Sequence, residues 1–211
     1  MKGNDEKSKE SLLWEEVHTE HIIQDRWIDF RRSAYRFPDG RVHEPIYTYS
    51  RRDYVVVAAR NTEGKLICVR QFRQGIRQLT TEFPAGGIER SDGKEYGNGE
   101  TSAEDALSAA KRELLEETGY ESDEWRQLLK IPSNAAISDN YAYIFSADNC
   151  RKVKEQELDE TEFLSVETFS PEEIETMIKN GEFQQAVHVL AWELAGRFDK
   201  NLQEYLQNKK C

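Results

Sequence analysis

The chain has 211 residues, with 29 Lys and Arg against 40 Asp and Glu, and a net charge of −11. At 37% hydrophobic and 10% aromatic residues it can bury the core of one domain, or of one domain with a small appendage, which excludes wholesale disorder. No apolar run approaches the roughly 20 residues that span a bilayer, no apolar stretch follows the charged residues 1–7, and so acidic a chain holds nucleic acid poorly by charge alone. The expectation is a cytoplasmic protein with no membrane and no nucleic acid among its partners. Cys68, Cys150 and Cys211 agree, being odd in number, scattered, and without zinc-ligand spacing. His18, His21, His43 and His188 form no cluster in sequence.

In chain order, residues 1–10 are polar and charged and read as a flexible N-terminus. Residues 11–52 carry strand-like segments at 27–30, 33–37 and 46–49, with a turn at Pro38-Asp39-Gly40. Such a sheet is too thin to bury a core alone, so it should pack on the rest of the chain or on a second subunit. Residues 53–211 form the main domain. Residues 54–59 predict a buried strand, Asn61-Thr62-Glu63-Gly64 a turn, and 65–72 the returning strand. Residues 83–87 break regular structure, and 91–99 form a Gly-rich polar loop. Residues 102–118 predict a helix with Ser102 as its N-cap, Asp105 three places on, and Gly119 ending it. Strands follow at 141–147 and 162–166. Ser170-Pro171-Glu172-Glu173 starts a helix over 171–179, and a last helix covers 183–206. Strands interleaved with single helices point to an α+β fold or an α/β/α sandwich.

Chemistry concentrates on the helix of residues 102–118. Glu113, Glu116 and Glu117 are spaced i, i+3 and i+4, so they share one arc about 100° wide. Leu107, Ala110, Leu114 and Leu115 fall on a neighbouring, core-facing arc. Three carboxylates in the last two turns repel one another and oppose the macrodipole. A divalent cation reverses that sign, and oxygen-only ligands favour Mg²⁺, Mn²⁺ or Ca²⁺ over zinc. Arg112, four residues before Glu116, can orient it. The alternative reading is a solvated acidic face.

The segment as a whole resembles the Nudix box. Glu104, seven residues, then Arg112-Glu113-Leu114-Leu115-Glu116-Glu117-Thr118-Gly119-Tyr120 match its second half. The family glycine corresponds to Gly86, eighteen positions before Glu104 where the pattern has six, so residues 91–99 look like part of an insertion. That insertion makes Glu100 an alternative to Glu104. Arg36-Phe37-Pro38-Asp39-Gly40, Val69-Arg70-Gln71-Phe72-Arg73 and Glu82-Phe83-Pro84-Ala85-Gly86 recur in this order in the ADP-ribose pyrophosphatase-like branch, and the similarity covers roughly residues 12–196.

The resemblance implies a Nudix-type α/β/α sandwich with a mixed sheet, within the α+β class, and N-terminal antiparallel strands that take part in homodimerisation. It implies Mg²⁺- or Mn²⁺-dependent hydrolysis of a pyrophosphate in a nucleoside diphosphate linked to another moiety, with ADP-ribose cleaved to AMP and ribose 5-phosphate. The alternatives are a nucleotide sugar (GDP-mannose or a UDP-sugar), a dinucleotide (FAD or NADH), capped RNA, or a non-catalytic nucleotide-binding module. By the same resemblance Glu113, Glu116, Glu117 and the carbonyl of Ala85 hold metal. Arg73 contacts the substrate phosphates, and Trp27 offers an aromatic platform. Glu160, then Glu162, is the general base in an acidic loop over residues 155–162. Gly86, Glu104, Arg112 and Gly119 shape the motif. Ser138-Asp139-Asn140 stands where relatives often carry a Gly-rich segment with a glutamate.

Overall fold

The first part of the chain forms three described strands, β1 (Glu15–Gln24), β2 (Asp29–Arg36) and β3 (Val42–Ser50), in the antiparallel order β1-β2-β3. The computed structural model describes residues 12–92, 94, 96, 103–160 and 162–198. The expected N-terminal segment of residues 1–10 therefore lies outside the described residues. The small sheet buries little: Asp29, Ser33 and Ala34 are covered, while Trp14, Val17, Ile23 and Trp27 are about half exposed. It is tied to the main body by the Tyr49 N–H, which donates to the Ile137 carbonyl at 2.8 Å. Asp139 adds a second tie, accepting from Arg31 at 3.2 Å and from the Ser50 hydroxyl.

Among the described residues the main sheet has eight strands. β4 (Tyr54–Asn61) and β5 (Leu66–Arg73) are joined by the expected turn, with Gly64 at φ 82°. They pair only next to that turn, at Ala59 with Ile67 and Arg60 with Leu66. Beyond it they part. β6 (Gln78–Glu82) pairs with β5 and β7 (Ala85–Gly87) with β4, so Phe83-Pro84 crosses between them. The expected break over residues 83–87 is thus confined to that crossing, and residues 85–87 are strand. The Pro84 carbonyl accepts from Val57 N–H at 2.9 Å, which closes the gap. β8 (Tyr120–Glu121), β9 (Glu124–Pro132) and β10 (Tyr141–Lys152) follow, then β11 (Leu164–Phe169). The backbone order is β11-β5-β4-β10-β8, with β9 on β10. β4 and β10 are parallel and the other pairs antiparallel, which makes the sheet mixed.

Residues of β4 point alternately to the two faces and feed two cores. Val55, Val57 and Ala59, with Ile67 and Phe145, meet Ala109, Ala110 and Leu114 of helix α1 (Ala106–Thr118). Val56 and Ala58, with Phe83 and Ile144, meet Ile174 and Met177 of α2 (Pro171–Asn180) and Ala191 and Trp192 of α3 (Ala186–Phe198). The result is the α/β/α sandwich. Among the described residues no helix is long and apolar enough to cross a membrane.

Helix ends differ from expectation in two places. The N-cap of α1 is Asp105, whose carboxylate accepts from Ser108 N–H at 2.8 Å, and the helix begins at Ala106. Ala103 and Glu104 are engaged elsewhere, the Ala103 N–H on the Glu89 carbonyl and Glu104 on Arg112. Ser102 lies outside the described residues, as do Glu100 and positions 93, 95 and 97–99 of the expected loop. Gly119 ends the helix in the left-handed region at φ 75°, where a Cβ would meet the Lys154 carbonyl oxygen at 2.0 Å. α2 starts at the expected capping box, Ser170 with Glu173. α3 begins at Ala186 because Phe183 is drawn into the core against Phe83, and positions beyond Phe198 lie outside the described residues.

Candidate functional site

The last two turns of α1 run beneath β7. A Cβ on Gly86 would stand 2.0 Å from the carboxyl carbon of Glu113, so only glycine lets the strand approach that carboxylate. One turn on, Glu117 accepts the Ala85 N–H at 2.9 Å. Glu162, in the loop before β11, completes a trio: one carboxylate oxygen from each of Glu113, Glu117 and Glu162 lies within 4.8 Å of the others.

Arg112 organises the surrounding acids. Its guanidinium donates to Glu113 at 2.8 Å, Glu116 at 3.0 Å, Glu104 at 2.7 Å and the Gly87 carbonyl at 3.0 Å. Glu104 also accepts the Glu89 N–H at 3.0 Å, which closes the loop that leaves β7. Glu104 therefore sits at the site despite the inserted residues. Glu116 rests at the rim on Arg112, its side chain 38% exposed, and stands apart from the trio.

The electrostatics are such that a cation could be held here. Burial pushes the Glu113 carboxyl up to about 7, with Glu162 and Glu116 adding to the rise and Arg112 opposing it. Burial, then the neighbouring Glu113, raises Glu117 well above the ordinary carboxylate range, although the Ala85 N–H favours its charged form. Two buried like charges that resist ionisation would be stabilised by a divalent cation, and the donor set is oxygen only.

Beside this trio, across the β7 backbone, opens a cleft of about 490 Å³. Arg51, Arg52, Arg73, Ala85, Gly86, Gly87 and Asn140 are among the residues that line it. Arg73 is held by Glu82 through a two-point pair, Nε to Oε1 at 2.8 Å and a terminal nitrogen to Oε2 at 2.5 Å. Glu82 is fully buried and also accepts from the Thr80 hydroxyl. Burial raises its pKa, but the hydrogen bonds and charge of Arg73, with His188 and the Thr80 hydroxyl beside it, outweigh that and hold it below the ordinary value. His188 of α3 accepts the Phe83 N–H on Nδ1 at 3.1 Å, which leaves Nε2 to carry the proton and face Glu82 at 3.8 Å. Burial pushes its imidazole down to about 4.

The structure therefore brings Ala85, Gly86, Glu104, Arg112, Glu113, Glu117 and Glu162 to one place, with Arg73 in the adjoining cleft. Glu160 is exposed and outside the trio. Trp27 stands at the β1–β2 turn, half exposed, with the Arg26 guanidinium 4.3 Å from its ring centre, and it does not line the cleft of its own chain. Ser138-Asp139-Asn140 divides its work. Asp139 ties down the small sheet, and Asn140 donates to the Arg52 carbonyl at 3.2 Å. Sequence reasoning missed Arg51, Arg52, Glu82 and His188. Their one signal was Glu82 beside the recognised Pro84-Ala85-Gly86; a lone histidine in a C-terminal helix carries none.

Residues 49–192 match the NUDIX domain. The chain is 28% identical over 183 residues to the ADP-ribose pyrophosphatase of Bacillus subtilis (strain 168), covering 83% of this chain and 89% of that protein. It is 26% identical over 200 residues to the methanol dehydrogenase activator of Bacillus methanolicus, covering 93% and 98%. Its fold is similar to a crystal structure of an ADP compounds hydrolase, with a TM-score of 0.72 at 20% identity over 94% of this chain and 97% of the other.

Proposed function

The chain belongs to the Nudix family, and from that membership we propose that it is a divalent-metal-dependent pyrophosphohydrolase that cleaves ADP-ribose to AMP and ribose 5-phosphate. The observation that carries this reading is the trio of Glu113, Glu117 and Glu162. Glu113 and Glu117 would hold the cation, with the Ala85 carbonyl beside them and Glu116 reaching in from the rim. When present, Mg²⁺ or Mn²⁺ supplies charge neutralisation of the diphosphate and activation of water.

The protein's own groups do the rest. Glu162 takes the proton from the attacking water; Glu160 is the second choice, further from the trio. Arg73, fixed by Glu82, orients the diphosphate in the cleft. The buried walls around Glu113 and Glu117 strengthen these interactions by excluding water.

Residues 11–52 are proposed as a dimerisation region and 53–211 as the catalytic domain. The half-exposed Trp14, Val17, Ile23 and Trp27 support pairing with a second copy. In such a homodimer Trp27 would reach the substrate of the partner subunit as a stacking platform. The free, buried thiols of Cys68 and Cys150 suit the cytoplasm.

Glu117→Gln should abolish Mg²⁺-dependent cleavage of ADP-ribose while leaving the fold intact by circular dichroism. Full activity in that variant would reject the reading. A panel of ADP-ribose, GDP-mannose, UDP-glucose, FAD and NADH separates the substrate classes, and brisk turnover of another member with none of ADP-ribose would replace the substrate named here.

A further inference from the structure

The steps proposed above leave His188 unused, yet both nitrogens of this buried ring are engaged. It stands in the first turn of α3, 105 residues from Phe83 in sequence. Phe83 opens the crossing between two strands, since β6 ends at Glu82 and β7 begins at Ala85. The last rung of β6 on β5 pairs Glu82 with Val69, so the Phe83 N–H lies one residue past that ladder. Phe83 is fully buried, and an unmet N–H there would be costly. His188 Nδ1 takes it at 3.1 Å. An imidazole that accepts on Nδ1 is neutral and carries its proton on Nε2. That N–H edge faces the Glu82 carboxylate, with Nε2 3.8 Å from Oε2.

Histidine presents an acceptor and a donor at fixed separation on one rigid ring. Here the two meet residues adjacent in the chain, Phe83 and Glu82. Glu82 in turn aims Arg73, because it takes both Nε and a terminal nitrogen of the guanidinium. The Arg73 side chain is long and 34% exposed, so its direction depends on that carboxylate keeping one position. Around the carboxylate stand Arg73, the Thr80 hydroxyl, the Gln185 amide at 3.4 Å and the His188 ring. A buried carboxylate stays ionised when such donors surround it. His188 is also tied to the strand end that carries Glu82, through Phe83. Its neutrality matters as well. A second cation on Glu82 would compete with Arg73 for the carboxylate, whereas a neutral N–H supports the ionised form without competing.

We propose that His188 is a positioning residue for substrate binding: held in its Nε2-protonated form by the Phe83 N–H, it fixes Glu82 and, through Glu82, aims Arg73 at the diphosphate. The inference rests on the hydrolase reading above and adds to it a residue far from the carboxylate centre in sequence.

The test measures kcat and KM for the panel compound that wild type cleaves fastest, expected to be ADP-ribose, in the full chain with saturating Mg²⁺. The variants are His188→Asn, His188→Gln, His188→Leu, Glu82→Gln, and Glu82→Gln with His188→Asn. The Asn oxygen can take the Phe83 N–H, but its shorter side chain stops short of Glu82. The Gln amide can reach Glu82 at the expense of Phe83. His188→Asn should raise KM about 3- to 10-fold with kcat within about twofold of wild type. His188→Gln should recover most of that KM although it melts lower, a pattern that packing alone does not produce. His188→Leu should show both defects. In the Glu82→Gln background, His188→Asn should raise KM by under about twofold, because the residue it acts through is already gone. A readout free of turnover is the ¹H–¹⁵N spectrum of the imidazoles, in which the signal lost in His188→Asn should be that of a neutral, Nε2-protonated ring. An Nδ1-protonated ring overturns the inference. So does a wild-type KM in His188→Asn, a KM that follows melting temperature across the three His188 variants, or an undiminished effect in the Glu82→Gln background. Each of these leaves the hydrolase reading standing. A wild type that cleaves none of the panel compounds with Mg²⁺ or Mn²⁺ overturns that reading and this inference with it.

Discussion

A Cβ placed on Gly86 would lie 2.0 Å from the carboxyl carbon of Glu113 and about as close to both its oxygens. The glycine of the strand and the glutamate of the helix therefore form one unit, in which the missing side chain makes room for the carboxylate. Gly86 is not in a left-handed conformation, so Gly86→Ala strains no torsion and acts only by pushing Glu113 aside. Glu113 is buried and cannot swing out to water. The variant should lose about 100-fold in kcat/KM, because catalytic geometry tolerates little displacement. Overpacking should cost it about 1–3 kcal/mol of stability. Steady-state kinetics beside a thermal melt checks both, and wild-type activity in Gly86→Ala would show that Glu113 does not act from this position.

Glu162 and Glu160 are two residues apart in one loop, yet only Glu162 reaches the trio. Glu162→Gln should therefore lower kcat by about 100-fold or more with little change in KM, as loss of a general base does. Glu160→Gln should stay within about threefold of wild type. Equal losses in the two variants would return the choice of base to the loop as a whole.

Glu113, Glu117 and the glycine partner were legible in sequence because helical periodicity and the box spacing report local geometry, but periodicity did not show that Glu116 rests at the rim on Arg112. Glu162 was legible only as one of several acids, since a loop has no period and its approach to α1 depends on the path from β10. The partnership of Glu82 with His188 was invisible because it joins β6 to α3, over a hundred residues apart. β9 was missed for another reason. As a strand on β10 with one open face it reads Glu-Trp-Arg-Gln-Leu-Leu-Lys-Ile-Pro, which has neither a continuous apolar run nor strict alternation. The start of α1 was misplaced because Ser102 and Asp105 both suit an N-cap, and only the engagement of Glu104 by Arg112 decides between them.

Glu82 links the substrate-side arginine to the core. Replacing it by Gln leaves Arg73 without its counter-charge in a partly closed site. Arg73 is 34% exposed, so water screens part of the loss. Glu82→Gln should cost on the order of 2 kcal/mol in stability and raise KM more than it lowers kcat, because Arg73 orients the diphosphate rather than transferring a proton. A variant with unchanged KM and reduced kcat would place Arg73 in the chemical step instead.

Glu113 and His188 respond to pH in opposite directions in the metal-free protein. The Glu113 carboxyl is raised from 4.5 to about 7, so the folded chain holds a proton that the unfolded chain releases, and stability falls as pH rises through that window. Glu117 is raised too and acts with the same sign. The His188 imidazole is lowered from 6.5 to about 4, so its contribution is complete above 6.5 and is lost as pH falls toward 4. For Glu113 and for His188 the effect is on the order of 3 kcal/mol at most. In chelator, wild type should lose stability between pH 4.5 and 7, with His188 offsetting part of the loss at the acid end. His188→Asn, whose amide oxygen can still accept the Phe83 N–H, should steepen that decline. The double variant Glu113→Gln with Glu117→Gln should reverse it, leaving a stability that rises from pH 4 to 6.5. Adding Mg²⁺ at pH 7.5 should raise the melting temperature of wild type and of His188→Asn, but not that of the double variant. Denaturant titrations at each pH supply the slopes. If the three proteins share one pH profile, these buried groups do not titrate in the folded chain, and the case for a cation site loses its electrostatic support.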